Sequence, residues 1–417
     1  MKKYIRIIIP VMIFVAVAAF ILFLPDVSPS DDIPQSDVFN CEEGIHNYTV
    51  ENKCALCGDI WEYTEGLKFE NYENGVMVRG FKEESTVTNI VIPYGYEGKP
   101  VVFVGAGWKD EIVSMVIPES VYLIDSEAFA GCRMLKNVTL PKNLKTIGWR
   151  AFVDTALYAD DSNWVDGVLY IGNSLIAANT TVAKKYTVKE GTTCIASGAF
   201  FRNGSIESIK LPKSLKAIDD IAFEYCVNLK SVTVGGNIEY VGASVFRETK
   251  FISDAKNWEN DALYIGKCLI RVKNTAQGTF VVKEGTKAIA ERAFYGCTQL
   301  KEVRLPDTLK ELPTQLFSDC SALEKIDIPQ SVTHIGAATF SGSGIKVISI
   351  PANVIYIGTK CFYKCENLSE AVFEDTAGWK TAKYTNEIID LREILTDPNS
   401  AALALKNGDY KQWTKNN

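Results

Sequence analysis

Histidine is nearly absent from this chain: 417 residues contain two, His46 and His334. Catalysis built on imidazole general bases or His-rich metal centres therefore has almost nothing to draw on. The nucleophile elbow G-x-S-x-G, the Walker A loop, H-E-x-x-H and the dinucleotide fingerprint are missing as well. No cluster of acid/base or nucleophilic residues takes their place, which argues against an enzyme. A basic stripe with interleaved aromatics is also lacking, and the net charge is −7. That balance excludes nucleic acid as a partner and favours solubility.

What the chain does have is a phenylalanine on a fixed beat. Phe129, Phe152, Phe200, Phe223, Phe246, Phe294, Phe317, Phe340 and Phe362 lie 23, 48, 23, 23, 48, 23, 23 and 22 residues apart. A period in the twenties is one turn of a stacked solenoid. The unit reads L-x-x-V-x-I-P-x-x-L-x-x-I-G-x-x-A-F-x-x-C, with one full copy starting at Leu135. V-x-I alternates as a strand does. Pro118, Pro141, Pro212, Pro306, Pro329 and Pro351 end such strands, because proline cannot donate to a continuing ladder. Ala-Phe is a buried corner, with alanine small and phenylalanine filling the interior. No unit can bury its apolar face alone, so several must stack.

Strand ends count out to about eleven coils between Ile90 and Phe373. At about 4.8 Å per strand, eleven coils make a rod of about 50 Å. The two 48-residue intervals are related copies: Trp164/Trp258, Leu169/Leu263, Tyr170/Tyr264 and Gly172/Gly266 all lie 94 apart. Each holds one extra coil of altered pattern, and a duplicated 94-residue block explains both. Three places after each Phe stands a small residue: Cys132, Thr155, Asn203, Cys226, Thr249, Cys297, Cys320, Ser343 and Cys365. Such a row can satisfy backbone groups where the chain turns.

The unit L-P-x-x-L-x-x-I-G-x-x-A-F-x-x-C-x-x-L resembles the BspA-like leucine-rich repeats of bacterial cell-surface proteins. The segment Val76–Val101 resembles that family's first coil. The resemblance spans roughly residues 70–375. It implies a leucine-rich-repeat solenoid of short strands and turns, and a surface for adhesion or host interaction rather than catalysis.

The organisation read from the chain is a signal anchor or signal peptide over 1–24, a linker over 25–40, a Cys/His knuckle over 41–65, the solenoid over 66–375 and a cap or tail over 376–417. Ile7–Leu24 is an apolar run long enough to nearly span a bilayer, behind a positive flank that stays cytoplasmic. A membrane protein with its C-terminal bulk outside is expected; a cleaved signal and secretion is the alternative. The stretch from Pro25 to Asn40 is polar and proline-rich, as a stalk is. In the tail, A-A-L-A-L-K after Asp397-Pro398 reads as a short helix.

Eleven cysteines make an odd count. Those on the corner row read as buried thiols. Cys297 and Cys320 sit on successive coils with parallel Cβ vectors, which suits a disulfide poorly. Cys194, Cys268 and Cys361 read as packing residues. Cys41, Cys54 and Cys57 lie outside the repeat, and with His46 they read C-x4-H-x7-C-x2-C. Four such groups are the ligand set of a structural zinc. A Cys54–Cys57 disulfide and unpaired thiols are the alternatives. His334 matches Thr146 and reads as a solvent-facing substitution. Asp160–Asp161 and the pairs Lys189–Glu190 and Lys283–Glu284 read as solvated turns.

The outward strand positions form the expected partner-binding row: Thr139, Lys210, Thr233, Arg304, Asp327 and Ser349, with Val116 and Val372 at its ends. Asn137, Ser208, Ser231, Glu302 and Lys325 line the neighbouring row. Trp149, Trp164 and Trp258 are candidate exposed anchors, the last two with packing as the alternative. The row has no aromatic stripe of the kind that stacks sugars and a small molecule would need a pocket, so proteins on host or neighbouring cells are the expected partners. A passive envelope spacer is the competing reading.

Overall fold

The computed structural model describes residues 48–55, 59–72, 75–382, 388–407 and 410–415. These residues form two compact units. One runs to residue 273 and takes in 283–293; the other comprises 274–282 and the chain from 294 onward.

A single coil shows how the repeat is built. Ala217–Ile218 is a short inner strand. It pairs in parallel with Cys194–Ile195 on one side and Tyr240–Val241 on the other. The chain then turns through Ala222 and Phe223, both wholly buried. It returns as an outer strand, Ser231–Val234, which pairs in parallel with Ser208–Leu211. Alternation along Ser208–Leu211 buries Ile209 and Leu211 and exposes Lys210.

The corner is held by a ladder of its own. Ile221, Phe223 and Tyr225 donate their N–H groups to Ala243, Val245 and Arg247 carbonyls at 2.9, 2.9 and 2.9 Å. Ile221 and Tyr225 have φ of +51° and +58°. A β-branched residue resists that conformation. It persists because alternating left-handed residues aim all three donors along the stack. The phenylalanine rings follow the same repeat: Phe200–Phe223 and Phe223–Phe246 centroids are 4.9 and 5.4 Å apart, and Phe317–Phe340 and Phe340–Phe362 are 5.5 and 5.0 Å apart.

The row three places on satisfies carbonyls. Cys226, Cys320 and Cys365 donate to Phe200, Phe294 and Phe340 carbonyls one coil back, at 2.9, 3.1 and 2.9 Å. Thr155 and Thr249 behave differently. Each donates to the carbonyl of its own corner phenylalanine and accepts the N–H that starts a short helix, Ala156–Ala159 or Lys250–Ser253. At these two points the chain makes no outer strand. It runs through the helix into an antiparallel hairpin, Trp164–Val165 with Val168–Ile171, or Trp258–Glu259 with Ala262–Ile265. The solenoid therefore has about 13 turns rather than eleven. Inner strands Thr146–Ile147 and Tyr240–Val241 have no outer strand after them, and a count of outer strand ends misses both.

Antiparallel strands extend the first and the last of the inner sheets. Leu67–Tyr72 pairs with Gly75–Phe81 in the first unit. In the second, Trp413–Lys415 pairs with Tyr356–Ile357. Helix Pro398–Lys406 is capped by Asp397, whose carboxylate accepts the Ser400 N–H at 2.9 Å. The Trp379 and Trp413 rings pack on Phe373.

Residues 7–24 lie outside the described residues, as do the linker, Cys41, His46 and Cys57. Among the described residues no helix is long and apolar enough to cross a membrane.

Candidate functional site

The outer strands carry the candidate surface. Thr139, Lys210, Thr233, Arg304, Asp327 and Ser349 are all exposed. Their row is not one continuous sheet. It divides among four hydrogen-bonded groups: Asn89–Val91 with Ser114–Val116 and Asn137–Thr139; Lys185–Thr187 with Ser208–Leu211 and Ser231–Val234; Gln277–Val281 with Gln299–Arg304 and Lys325–Ile326; and Val347–Ile350 with Glu370–Phe373. Lys210 stands between Thr187 and Thr233 in register. Arg304 stands beside Val281, and Ser349 beside Val372. Val281 is 62% exposed and Val372 41%, so apolar and charged groups alternate.

The neighbouring positions are tied together by charge. Glu207 takes both Lys230 and Lys184, at 2.8 and 3.3 Å. The hydrogen bond from Lys230, then that from Lys184, holds its carboxyl below the usual range. Glu302 accepts from Arg304 and Thr279, both at 3.1 Å, and its carboxyl is lowered for the same reason. These pairs are solvent-screened and add little stability. They hold the charges in place on the face.

The structure corrects one sequence expectation and places the others. His334 is buried, not solvent-facing. It lies in the inner ladder between Glu311 and Tyr356, and its Nδ1 is 2.7 Å from the Thr333 hydroxyl. Trp164 and Trp258 are packing residues: each indole N–H donates to a helix carbonyl, Tyr158 at 3.0 Å or Ile252 at 2.8 Å. Asp160 shapes a turn: hydrogen bonds from the Ser162 side chain, then from its N–H at 2.9 Å, lower its carboxyl. The Lys189 and Lys283 N–H groups donate to Tyr170 and Tyr264 hydroxyls. Cys320 is a buried free thiol bound to a carbonyl, so no bridge joins it to Cys297. Cys194, Cys268 and Cys361 are buried free thiols in the core. Burial pushes the Cys226 and Cys268 thiols up to about 12, which makes them inert at neutral pH.

Of the candidate zinc ligands, only Cys54 falls within the described residues. It is buried, its strand bridges to Tyr48, and its N–H donates to the Asp59 carbonyl at 2.7 Å.

One surface feature escaped the strand-based reading. Aromatic rings line the corners rather than the strands, and Trp149 is one of them. The Trp149 and Phe201 rings meet edge to face at 5.0 Å, and Phe201 and Tyr225 at 5.9 Å. The Arg202 guanidinium lies over both Phe201 and Tyr225, at 5.2 and 5.5 Å. Arg247 lies over Tyr225 and pairs with buried Glu224. Burial raises the Glu224 carboxyl, and Arg247 offsets this in part. The signal was the presence of Phe201, Arg202, Tyr225 and Arg247 one or two positions after Phe200, Phe223 and Phe246.

The model of the BspA-type leucine-rich repeat region matches this chain in six copies, over residues 107–181, 162–269 and 272–382. Among solved structures, a leucine-rich repeat protein from Bacteroides ovatus is 24% identical, with 76% of this chain and 88% of that chain covered and a TM-score of 0.26. A leucine-rich cell surface protein from Faecalibacterium prausnitzii is 22% identical, covering 77% of this chain and 96% of that one, at a TM-score of 0.28. The pneumococcal vaccine antigen PcpA is 18% identical over 75% and 81%, at 0.29. No curated protein matches the chain. With the matched repeats covering more than half of the sequence, the chain belongs to the BspA-type leucine-rich repeat family.

Proposed function

We propose that this is a non-catalytic surface protein that binds protein partners outside the cell through its solenoid. The observation that carries the reading is the exposed outer row. Thr139, Lys210, Thr233, Arg304 and Ser349 project from hydrogen-bonded strands, and Asp327 directly follows one, so the row needs little ordering on binding. Exposed Val281, Val347 and Val372 beside them supply apolar area, and the pairs at Glu207 and Glu302 supply fixed charge. Fold alone does not assign function; the mixed chemistry of the row is what favours a protein partner. The segment Ile7–Leu24 anchors the chain in the membrane with its bulk outside, and Cys41, His46, Cys54 and Cys57 hold a structural zinc that orders the start of the ectodomain.

The test is purified ectodomain against an array of host and bacterial surface proteins. Saturable binding that Lys210→Glu or Arg304→Glu weakens supports the reading. Absence of binding across the array leaves the chain a passive spacer. Cell fractionation tests the anchor: protein found wholly in the medium and starting beyond residue 20 removes it. Metal analysis tests the zinc, which is withdrawn if the ectodomain carries under about a third of an equivalent and Cys54→Ser leaves stability unchanged.

A further inference from the structure

The corner ladder stops where the first hairpin leaves the stack. In a continuing corner, Gly198, Phe200 and Arg202 donate to Asp220, Ala222 and Glu224 carbonyls at 2.9, 2.8 and 2.9 Å. The equivalent donors of the coil before the break are the N–H groups of Arg150, Phe152 and Asp154. None of the three meets an acceptor among the described residues. Arg150 and Asp154 have φ of +56° and +59°, the alternation that turns such donors to one side. A run of backbone N–H groups held this way is an anion-binding nest. Backbone donors left without a protein partner call for another.

Arg150 and Phe152 line a cavity of about 200 Å³. Trp149 and Phe201 form an aromatic wall, and Ala177 lies on the strand opposite. Gly198 is what allows Trp149 to sit there, since a Cβ on it would come within 2.0 Å of the indole ring. The Arg150 side chain is exposed, and the Tyr158 hydroxyl has no hydrogen-bond partner among the described residues. The nearby carboxylates do not fill the cavity. Asp219 accepts from the Ile147 and Asp220 N–H groups, and Asp154 is exposed. The Ser197 hydroxyl donates to the Asp220 carbonyl.

We infer that this cleft binds a carboxylate carried on an apolar or aromatic body. The carboxylate sits on the Arg150 and Phe152 N–H groups with the Arg150 guanidinium beside it, and the body packs against Trp149 and Phe201. Two sources share this chemistry, a free aromatic acid and the C terminus of a peptide. The peptide source rests on the protein-binding reading above; the free acid does not.

Isothermal titration of the full chain separates them. The probes are hydrocinnamate, a short peptide ending in a free phenylalanine carboxylate, and the same peptide amidated. Saturable binding of either acid is expected, with the amide at least tenfold weaker. Hydrocinnamate binding alone assigns a free acid, and peptide binding alone assigns a chain terminus. Arg150→Glu and Ala177→Phe are each expected to weaken binding at least tenfold, with melting curves confirming that both fold. Equal binding of acid and amide overturns the inference, as do undiminished binding by Arg150→Glu and no binding of either acid at millimolar concentration. Lys210→Glu, on the outer strand face, leaves these titrations unchanged, so failure here is separate from failure of that face.

Discussion

The two breaks in the repeat, 94 residues apart, share a backbone and differ in what fills them. At both, a threonine caps a short helix, a hairpin follows, and a new inner ladder begins. In the first, Trp149 lies over Gly198 and a cavity remains beside it. In the second, Ala243 stands in place of Trp149, Arg292 in place of Gly198, and Glu291 in place of Ser197. Gly198 and Arg292 have the same left-handed φ, +63° and +59°. The backbone therefore tolerates a side chain at this position, and it is the neighbouring indole that demands glycine. Glu291 is buried and accepts from the Tyr240 hydroxyl at 3.3 Å. One duplicated frame has become an aromatic cleft in one copy and a buried polar junction in the other.

The largest expected effect lies between the breaks. Phe223 is wholly buried with a ring stacked on each side, so Phe223→Ala should cost about 3–5 kcal/mol in a denaturant titration. Phe152 has one stacked neighbour, Phe129, and Phe152→Ala should fall at the low end of that range. Equal losses would mean that the break does not interrupt the ring stack.

A smaller effect tests the indole directly. Gly198→Ala places a methyl group against the Trp149 ring and should cost about 1–3 kcal/mol. Combining it with Trp149→Ala should recover part of that loss, because the two positions are in contact. Additive losses would show that φ, not the ring, sets the glycine.

The smallest effect concerns pH at the second break. Burial first, then the Asp220 charge, raises the Glu291 carboxyl well above its ordinary value, with Arg292 opposing. The folded protein thus holds this proton more tightly than the unfolded chain does. Its stability contribution is full below the ordinary carboxylate range, near pH 4, and falls as pH rises from there toward the raised folded value. Glu291→Gln should match the parent protein near pH 4 and become the more stable of the two as pH rises. Parallel curves across that window would place the Glu291 charge in solvent.

Much of this fold was legible in the sequence because burial imposes a period. The phenylalanine beat, the proline strand ends and the small residue three places on all mark positions where one geometry admits few residue types. The breaks were harder to read. Thr155 and Thr249 stood in the cysteine row as if equivalent, yet threonine accepts as well as donates and can cap a helix, which a thiol does poorly. That change of capacity turns a coil into a helix and hairpin, and it hid two turns. His334 matches Thr146, which is only part-buried, but the inner sheet buries both residues of His334–Ile335, so the match does not carry exposure with it. The cleft depends on Trp149 meeting Gly198, 49 residues away, and no local pattern announces a contact across a break.

Residue-resolved amide hydrogen exchange tests the interrupted ladder most directly. The N–H groups of Ile221, Phe223 and Tyr225, bonded to the next corner, should exchange slowly, and those of Arg150, Phe152 and Asp154 should exchange fast. Equal, slow exchange at both corners would mean that the ladder runs on through the first break, contradicting the account.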